Sequence, residues 1–340
     1  MSRDKVTIPT QNPEDEVVEK TLRPQNLETY QGQEKIKKHL QIIIQATKKR
    51  QEALDHILLS GPAGLGKTTL SYIIARELNT NIKITSGPAI EKGGDLASLL
   101  TNLQSGDVLF IDEAHRLNRN IEEILYPAME DFKLDLTIGK GPSARTIQIE
   151  IPPFTLIAAT TRVGMLSSPL RSRFGVHFRL EFYQIEEIKK IIQRSAKILQ
   201  IKIDDESATL LAKASRFTPR VANRLLKRAR DFAQVKNSQL ITPSIVNDLF
   251  TILEIDQHGL ESLDYQIIKI IIEKFNGGPA GLQSIAAIIG EEAETIEDVY
   301  EPYLLQLGLI ARTPRGRMAT KTGYQYLGLD YPEDRQKKLI

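Results

Sequence analysis

The sequence predicts an α/β domain whose parallel sheet is flanked by helices, followed by a small all-helical domain and a C-terminal winged-helix domain. From residue 21 to about 183, helix-like segments alternate with short apolar strands such as "HILLS", "DVLFIDEA" and "FTLIAATT". This alternation is typical of a helix-covered parallel sheet. From 184 to 255 strand patterns disappear, and apolar residues recur at helical spacing in "EEIKKIIQRSAKIL" and "ANRLLKRARDFA".

A third unit is expected over residues 256–340. Three helix-like segments, "YQIIKIIIEKF", "GLQSIAAIIG" and "TIEDVYEPYLLQLGLI", precede the basic, turn-rich stretch "ARTPRGRMATKTG". Three helices and a hairpin in this order resemble a winged helix. Residues 1–20 are polar and acidic, and we expect them to form a mobile tail.

Composition limits the classes of protein that remain. The 340 residues include no cysteine, which excludes disulfides and cysteine-ligated metal centres. The net charge of +2 is far below that of a dedicated nucleic-acid binder, so any contact with DNA must be local. No apolar run approaches the roughly 20 residues that cross a bilayer, and the first residues lack a signal-peptide core. We therefore expect a cytosolic protein without membrane contact.

The clearest motif is a glycine-rich loop between an apolar strand and a helix. Residues 61–68, "GPAGLGKT", match G-x-x-x-x-G-K-[ST] in the required context. Such a loop turns its amide groups towards phosphates, while the lysine reaches the terminal phosphates and the hydroxyl ligates Mg²⁺. The motif predicts ATP or GTP binding. Its assigned residues are Gly61, Gly64, Gly66, Lys67, Thr68 and Thr69.

Two acids end the next apolar strand, in "VLFIDEAH". Asp112 suits Mg²⁺ bound through water, Glu113 suits a general base that polarises the attacking water, and His115 is interpreted as structural. The string DEAH also marks RNA helicases with two motor domains, but no second motor domain follows here. After the third strand, Thr160 or Thr161 is expected to orient the water, and we favour Thr161.

Arginines further along the chain complete the predicted site. Arg171 and Arg173 cannot share a helical face, so one is expected to brace its own domain while the other projects. We favour Arg173 as the group supplied in trans to the nucleotide of a neighbouring subunit. In "FTPRVANRLLKR", Thr218 suits an N-cap and Pro219 the first helical position, which aims Arg220 at phosphate.

An apolar hairpin is predicted between the acidic strand's helix and the third strand. Apolar residues alternate on both sides of a glycine-rich tip in "LDLTIGKGPSARTIQIEI". This face either packs on its own domain or contacts a partner. The candidate docking residues are Leu136, Ile138, Ile147 and Ile149.

These motifs, in this order, resemble the AAA+ ATPases and, more closely, the RuvB family of Holliday-junction branch-migration motors. The strings that carry the closer resemblance include "LRPQNLETYQGQ", "YPAMEDF", "AATTRVGMLSSPLRSRFG" and "RTPRGRMAT". The resemblance spans about residues 22–327. It implies a homo-hexameric ring around double-stranded DNA that uses ATP and Mg²⁺, is loaded at junctions by RuvA, and has RuvC as a possible further partner.

The resemblance also implies site residues. Leu22, Arg23 and Tyr183 would frame the adenine, Glu130, Asp131 and Phe132 would lie near the nucleotide, and the hairpin would dock RuvA. Four positions depart from the usual family pattern. Ala63 stands where the family usually has a proline, Ala114 where it has an isoleucine, Phe217 where it has a glycine, and Ala293 where it has an arginine. The last would remove one phosphate contact, and Phe217 would alter lid mobility.

The last predicted helix of the C-terminal unit is acidic, with Glu294, Glu297, Asp298 and Glu301. Phosphates repel such a helix, so we expect no base reading by it. Arg312, Arg315 and Arg317, on the following turn, are expected to hold the DNA backbone without sequence preference.

Rival functions fit the sequence less well. Bacterial clamp loaders commonly carry a cysteine-bound zinc, which this chain cannot form. A protein unfoldase needs an aromatic pore loop, and "SGPAIEKGGDLASLL" contains no aromatic residue. A non-catalytic interaction module is disfavoured because every predicted catalytic position is occupied.

Overall fold

A computed structural model describes residues 21–138 and 145–332, with side chains omitted for 136–138 and 145–146. The predicted tail, residues 1–20, lies outside the described part. The chain forms two compact units, one ending at Gln200 and one beginning at Ile201. None of the described helices is long and apolar enough to cross a membrane.

The first unit is an α/β domain. Its helices are α1 (Glu34–Arg50), α2 (Lys67–Leu78), α3 (Gly93–Thr101), α4 (Arg119–Glu130), α5 (Ser168–Ser172) and α6 (Ile185–Ile198). Its strands are β1 (Ile57–Ser60), β2 (Ile82–Ser86), β3 (Val108–Asp112), β4 (Lys133–Ile138), β5 (Arg145–Glu150), β6 (Thr155–Thr160) and β7 (Val176–Arg179).

Five of these strands form the parallel sheet that the sequence predicts, in the order β2-β3-β6-β1-β7. β1 and β6 are buried along their whole length, and β3 is buried up to Asp112. Parallel strands covered on both faces need such continuous apolar runs. The prediction of an α/β domain with a parallel sheet is therefore confirmed.

The second unit contains a small helical domain followed by a winged helix, as predicted. The helical domain has α7 (Asp205–Lys213), α8 (Pro219–Val235) and α9 (Pro243–Ile252), with the two-residue strands β8 (Lys202–Ile203) and β9 (Leu240–Ile241). The winged helix has α10 (Ser262–Lys274), α11 (Leu282–Ile289), α12 (Ala293–Thr295), α13 (Glu301–Gln306), β10 (Ile310–Thr313), β11 (Gly316–Ala319) and α14 (Lys321–Tyr326). A π-helical turn, Ile296–Tyr300, joins α12 to α13.

Helix α6 packs with the first compact unit, and the helical-domain boundary at residue 184 stays a prediction. Arg194 of α6 donates to the carbonyl oxygen of Thr29 over 3.1 Å and to that of Leu22 over 2.5 Å. These bonds tie α6 to the amino-terminal segment of the α/β domain. The break between the two compact units comes after Gln200.

A buried ion pair joins the helical domain to the winged helix inside the second unit. Arg216 precedes α8, and its guanidinium contacts the Asp264 carboxylate and donates to the Gly259 carbonyl oxygen over 3.0 Å. Asp264 is fully buried, and burial raises its pKa to about 6 while Arg216 opposes that rise. Because each charge lacks solvent, each depends on the other.

Phe217, the second residue before α8, strengthens the same junction. Its ring packs edge to face on Tyr303, with centroids 5.7 Å apart, and against the core of the winged helix. Its φ of 54° lies in the left-handed region, which glycine adopts without strain. The resemblance noted above implies glycine at this position, and this backbone conformation would suit it.

We expect Arg216→Met to lower the free energy of unfolding of the second unit by about 3–5 kcal/mol, because it leaves the Asp264 carboxylate buried without a cation. Chemical denaturation followed by circular dichroism measures this loss. Lys213→Met, which removes an exposed charge nearby, should change stability by no more than about 0.5 kcal/mol. The double variant Arg216→Met/Asp264→Leu should recover most of the loss, and a double variant as unstable as the single one would contradict the explanation.

Candidate active site

The phosphate loop joins β1 to α2 and has the backbone that its glycines permit. Gly61 has a φ of 136°, and a Cβ added there would lie 2.6 Å from the carbonyl oxygen of Leu180. Gly66 caps α2 with a φ of 95°. The ammonium of Lys67 donates to the carbonyl oxygens of Gly61 and Pro62 over 2.7 and 2.8 Å. The loop thus curls around its own lysine at the positive end of a helix.

The two expected magnesium ligands lie side by side. The Thr68 hydroxyl, in the first turn of α2, donates to Asp112 Oδ2 over 3.2 Å. Asp112 ends β3, and its other oxygen accepts from the amide of Glu113 over 2.9 Å. A hydroxyl and a carboxylate at this spacing form an oxygen donor set that fits Mg²⁺. The remaining ligands would come from water and from phosphate oxygens.

Glu113 is held in an unusual backbone conformation. Its φ is 48°, in the left-handed region that non-glycine residues seldom adopt. Its carboxylate pairs with Arg116 over 3.2 Å, and both side chains are more than half exposed, at 51% and 56%. An exposed pair of this kind is weak, so the carboxylate can turn towards a water molecule at little cost.

The structure distinguishes the two candidate threonines. Thr160 is buried, its hydroxyl shares a hydrogen bond of 3.1 Å with Nδ1 of His115, and it accepts the amide of Arg162 over 2.9 Å. Thr161 is partly exposed. Strand β6 lies between β3 and β1, so Thr161 follows a strand end located between the acidic pair and the phosphate loop. These positions favour Thr161 as the residue that meets the water.

The expected adenine-side residues gather beside the phosphate loop. Tyr183 is buried, and its hydroxyl lies 3.3 Å from the carbonyl oxygen of Leu65 and 3.0 Å from the hydroxyl of Tyr30. Leu22 is also buried, and the guanidinium of Arg23 lies 5.5 Å from the ring centre of Tyr72. Sequence reasoning missed Tyr30. Burial raises its pKa to about 12, so its hydroxyl remains protonated.

Arg194 was also missed, because nothing in its local sequence distinguishes it from a solvated helical arginine. Its guanidinium holds the backbone on both sides of the segment from Leu22 to Thr29. This contact connects α6 to the segment that carries Leu22 and Arg23. Only the folded chain brings the two together, since they are about 170 residues apart.

Arg173 and Glu130 lie at the edge of the sheet opposite the phosphate loop. Arg173 comes just before β7, whose first residue pairs with Ile57 at the start of β1, whereas the phosphate loop follows the other end of that strand. Nε2 of His56, before β1, lies 3.0 Å from the carbonyl oxygen of Met129, which places the end of α4 at the same edge. At roughly 3.3 Å per residue, β1 separates the two edges by about 10 Å.

The Arg173 side chain is held in a defined position at that edge. Its guanidinium pairs with the Glu130 carboxylate over 3.1 Å and donates to the Pro169 carbonyl oxygen over 2.8 Å. The central carbon of the guanidinium lies over the ring of Tyr126, 4.4 Å from the ring centre. Asp131 and Phe132 follow Glu130 at the same edge. Arg171 is exposed. Arg173, favoured above as the projecting arginine, is therefore braced by its own domain in this conformation.

The expected lid residues open α8 in the second unit. The Thr218 hydroxyl accepts from the amide of Val221 over 3.4 Å, and Pro219 occupies the first helical position. Arg220 follows in the first turn. The predicted N-cap and helix start are thus both present.

The predicted hairpin forms from β4 and β5 in antiparallel register, with Leu134 opposite Ile149 and Leu136 opposite Ile147. Ile149 is half-buried and packs on the core of the α/β domain, whereas Ile147 is 46% exposed. Leu136 and Ile138 lie in β4, and their side chains fall outside the described part. The apolar face therefore begins in the domain's own core and continues to an exposed residue.

The three arginines of the wing, which is formed by β10 and β11, differ in their surroundings. Arg317 is buried and contacts both carboxylate oxygens of Glu301, over 3.1 and 2.7 Å. Arg312, 57% exposed, pairs with Glu297 over 2.9 Å. Arg315 lies exposed in the turn between the strands. Arg317 thus holds the wing on the acidic helix, and phosphate contacts by Arg312, Arg315 and Arg317 stay a prediction.

Ala293 begins α12 and packs partly buried against the winged-helix core. The methyl group of Ala293 is therefore accommodated by contacts with that apolar core.

A phosphate loop, an acidic strand end, a threonine between them and a helical lid domain define a P-loop ATPase of the AAA+ class. Family models match three consecutive segments: the Holliday junction DNA helicase RuvB P-loop domain over residues 22–180, the RuvB AAA lid domain over 183–256 and the RuvB C-terminal winged helix domain over 257–328. The chain belongs to the RuvB family.

Known relatives agree over most of the chain. The Holliday junction branch migration complex subunit RuvB of Kosmotoga olearia is 60% identical over 315 residues, which cover 93% of this chain and 92% of that protein. The solved structure of the Thermotoga maritima RuvB Holliday junction branch migration motor is 52% identical, with a TM-score of 0.85 over 92% of this chain and 100% of that one. A substituted form of the same Thermotoga protein gives a TM-score of 0.84 at 51% identity over 92% of this chain and 100% of that one.

We expect Arg317→Gln to destabilise the winged helix by about 3–5 kcal/mol, because Glu301 remains buried without its cation. Arg315→Gln is the matched control, since it removes the same charge two residues away on an exposed turn and should leave stability within about 0.5 kcal/mol. Denaturation curves and DNA-binding isotherms at several salt concentrations separate the two effects.

Arg315→Gln should instead weaken DNA binding and lower the slope of log affinity against log salt by about 0.9. If Arg317→Gln proves as stable as the wild type and loses only DNA affinity, then Arg317 is a phosphate contact and does not support the fold of the wing.

Proposed function

We propose that this chain is the ATP-hydrolysing subunit of a DNA motor that moves duplex arms through Holliday junctions, acting with RuvA in recombination and repair. Family membership supports the substrate and the partner. The observation that carries the mechanism is the separation of the catalytic groups: the phosphate loop, Asp112 and Glu113 lie at one edge of the sheet, and Arg173 lies at the other.

At the carboxyl edge, the loop amides and Lys67 would hold the phosphates of ATP. Thr68 and Asp112 would hold Mg²⁺, which neutralises the charge that develops on the phosphates. Glu113 would then polarise the attacking water, and Thr161 would orient it. Tyr183, with Leu22 and Arg23, would frame the adenine.

Arg173 is held at the edge of the sheet opposite the phosphate loop of its own chain. We infer that it acts in trans, with Glu130, Asp131 and Phe132 beside it, at the nucleotide of the next subunit. Such a contact is heterologous, because one edge of a subunit meets the opposite edge of its neighbour, and repeating it closes a ring when the rotation permits. A hexamer around duplex DNA is the proposed assembly.

The helical domain would act as a lid through Pro219 and Arg220, which follow the junction that Arg216 and Phe217 form with the winged helix. A change at Arg220 would then move the wing, and with it the DNA held by Arg312 and Arg315. Contacts to the phosphate backbone carry no sequence information, as a translocating motor requires. We place this activity in the cytosol, where chromosomal DNA lies, and RuvC is a possible further partner there.

We expect Glu113→Gln and Arg173→Ala each to abolish ATP-dependent branch migration on a synthetic four-way junction. The loss of one arginine at the transferring phosphoryl group costs about 10³- to 10⁵-fold in turnover. Mixing Arg173→Ala with Lys67→Ala subunits should restore part of the hydrolysis, because the intact phosphate loop of the first variant meets an intact arginine wherever the second variant is the neighbour that supplies it. Mixed rings that form and remain inactive would contradict action in trans.

We expect Ile147→Lys to abolish the stimulation of branch migration by RuvA while leaving DNA-stimulated ATP hydrolysis intact. Gln148→Lys is the control, since it introduces the same charge one residue away on the other face of the hairpin, where Gln148 contacts Asp135 over 3.0 Å. Because Ile149 also supports the core, its substitution would not give a clean test. Unchanged stimulation of a folded Ile147→Lys protein would remove this docking role.

A further inference from the structure

His115 is a buried ionisable side chain at the active site that the mechanism above does not use. It lies in the short 3₁₀ turn Ala114–Arg116 that follows Glu113, and 9% of its surface is exposed. Its Nδ1 atom shares a 3.1 Å hydrogen bond with the hydroxyl of Thr160, which ends β6. This bond joins the residue two positions after the general base to the residue just before the water-orienting threonine.

The turn that carries Glu113 needs external support. A left-handed backbone at a non-glycine residue costs on the order of 1 kcal/mol or more, so surrounding contacts must hold it. On one side the turn meets the backbone of Gly87, where an added Cβ would lie 2.4 Å from the carbonyl oxygen of Glu113. On the other side, His115 contacts Thr160. The turn is therefore clamped between the ends of β2 and β6.

Thr161 is fixed by the same bond. The Thr160 hydroxyl accepts the amide of Arg162 over 2.9 Å and also bonds to His115. The residues before and after Thr161 are thus anchored to one buried oxygen atom. A shift of that atom would move Thr161 relative to Glu113.

We propose that His115 is a positioning residue for ATP hydrolysis, which sets the distance between Glu113 and Thr161 through its hydrogen bond to Thr160. The inference rests on the proposed roles of Glu113 and Thr161. His115 does not meet the water or the phosphate itself, because its ring is buried and bonded to β6. It acts by holding two catalytic groups in one arrangement.

The test compares His115→Ala, His115→Asn, Thr160→Val and Thr160→Ser in the full-length protein. His115→Ala and Thr160→Val should each lower kcat for ATP hydrolysis by about 10- to 100-fold, the loss typical of a misplacement near 1 Å. KM and the affinity for a fluorescent ATP analogue should change less than about twofold, since the phosphate loop is untouched. Asn places a polar atom where Nδ1 lies, and Ser keeps the hydroxyl, so both should retain most of the wild-type rate.

A double-mutant cycle gives the decisive readout. If the two residues act through one bond, His115→Ala/Thr160→Val should be no slower than either single variant. Rate losses that multiply, or a wild-type kcat in His115→Ala, would overturn the proposal. If His115→Ala does not fold, the contrast between Thr160→Val and Thr160→Ser decides, and equal rates for these two variants would likewise overturn it.

The Glu113→Gln variant distinguishes a failure of the proposed function from a failure of the positioning role of His115. Wild-type hydrolysis by Glu113→Gln would remove the proposed general base whatever the His115 variants show. Loss of hydrolysis in Glu113→Gln together with full activity in His115→Ala and Thr160→Val would leave the proposed function intact and remove only the positioning role.

Discussion

Parallel strand pairing is the constraint on which the rest of this site depends. It brings the carboxyl ends of β1, β3 and β6 to one edge, so the phosphate loop, Asp112 and Thr161 become neighbours although they are far apart in sequence. The same pairing sends Arg173 and Glu130 to the opposite edge. Under the proposed mechanism, a subunit built in this way would carry both halves of a catalytic site and would need a neighbouring subunit to bring them together. The common direction of the parallel strands would then make ATP hydrolysis depend on assembly.

The backbone departs from ordinary geometry where chemistry is expected. Glu113 has a left-handed conformation, and the contacts that hold it come from two other strand ends, through Gly87 and through Thr160. Such a turn would not persist in an isolated peptide, because the local sequence does not favour it. Burial stabilises this turn. Because His115 and Thr160 are both buried, water does not compete for the hydrogen bond between them.

Local sequence patterns were enough to predict the strands of the sheet and the phosphate loop. Continuous apolar runs identified the buried strands, and the spacing of glycines and lysine identified the phosphate loop, because both depend on residues close in sequence. Contacts between residues that are distant in sequence determine the features that the local patterns did not predict. Which of two adjacent threonines turns inward depends on His115, 45 residues earlier, and whether a wing arginine is buried depends on a carboxylate 16 residues before it. The first helix after residue 184 gave no sign that it packs on the amino-terminal segment.

The junction before α8 shows how tertiary contacts can offset a strained backbone. Arg216 and Phe217 both have left-handed backbones, with φ values of 52° and 54°, which cost side-chain-bearing residues about 1–2 kcal/mol each. Contacts to the winged helix offset that cost, since Arg216 reaches Asp264 and Phe217 packs on Tyr303. The start of the helix that carries Arg220 is therefore held in place by residues of the winged helix. In the proposed mechanism, a movement that begins at Arg220 would therefore pass directly to the winged helix through these two contacts.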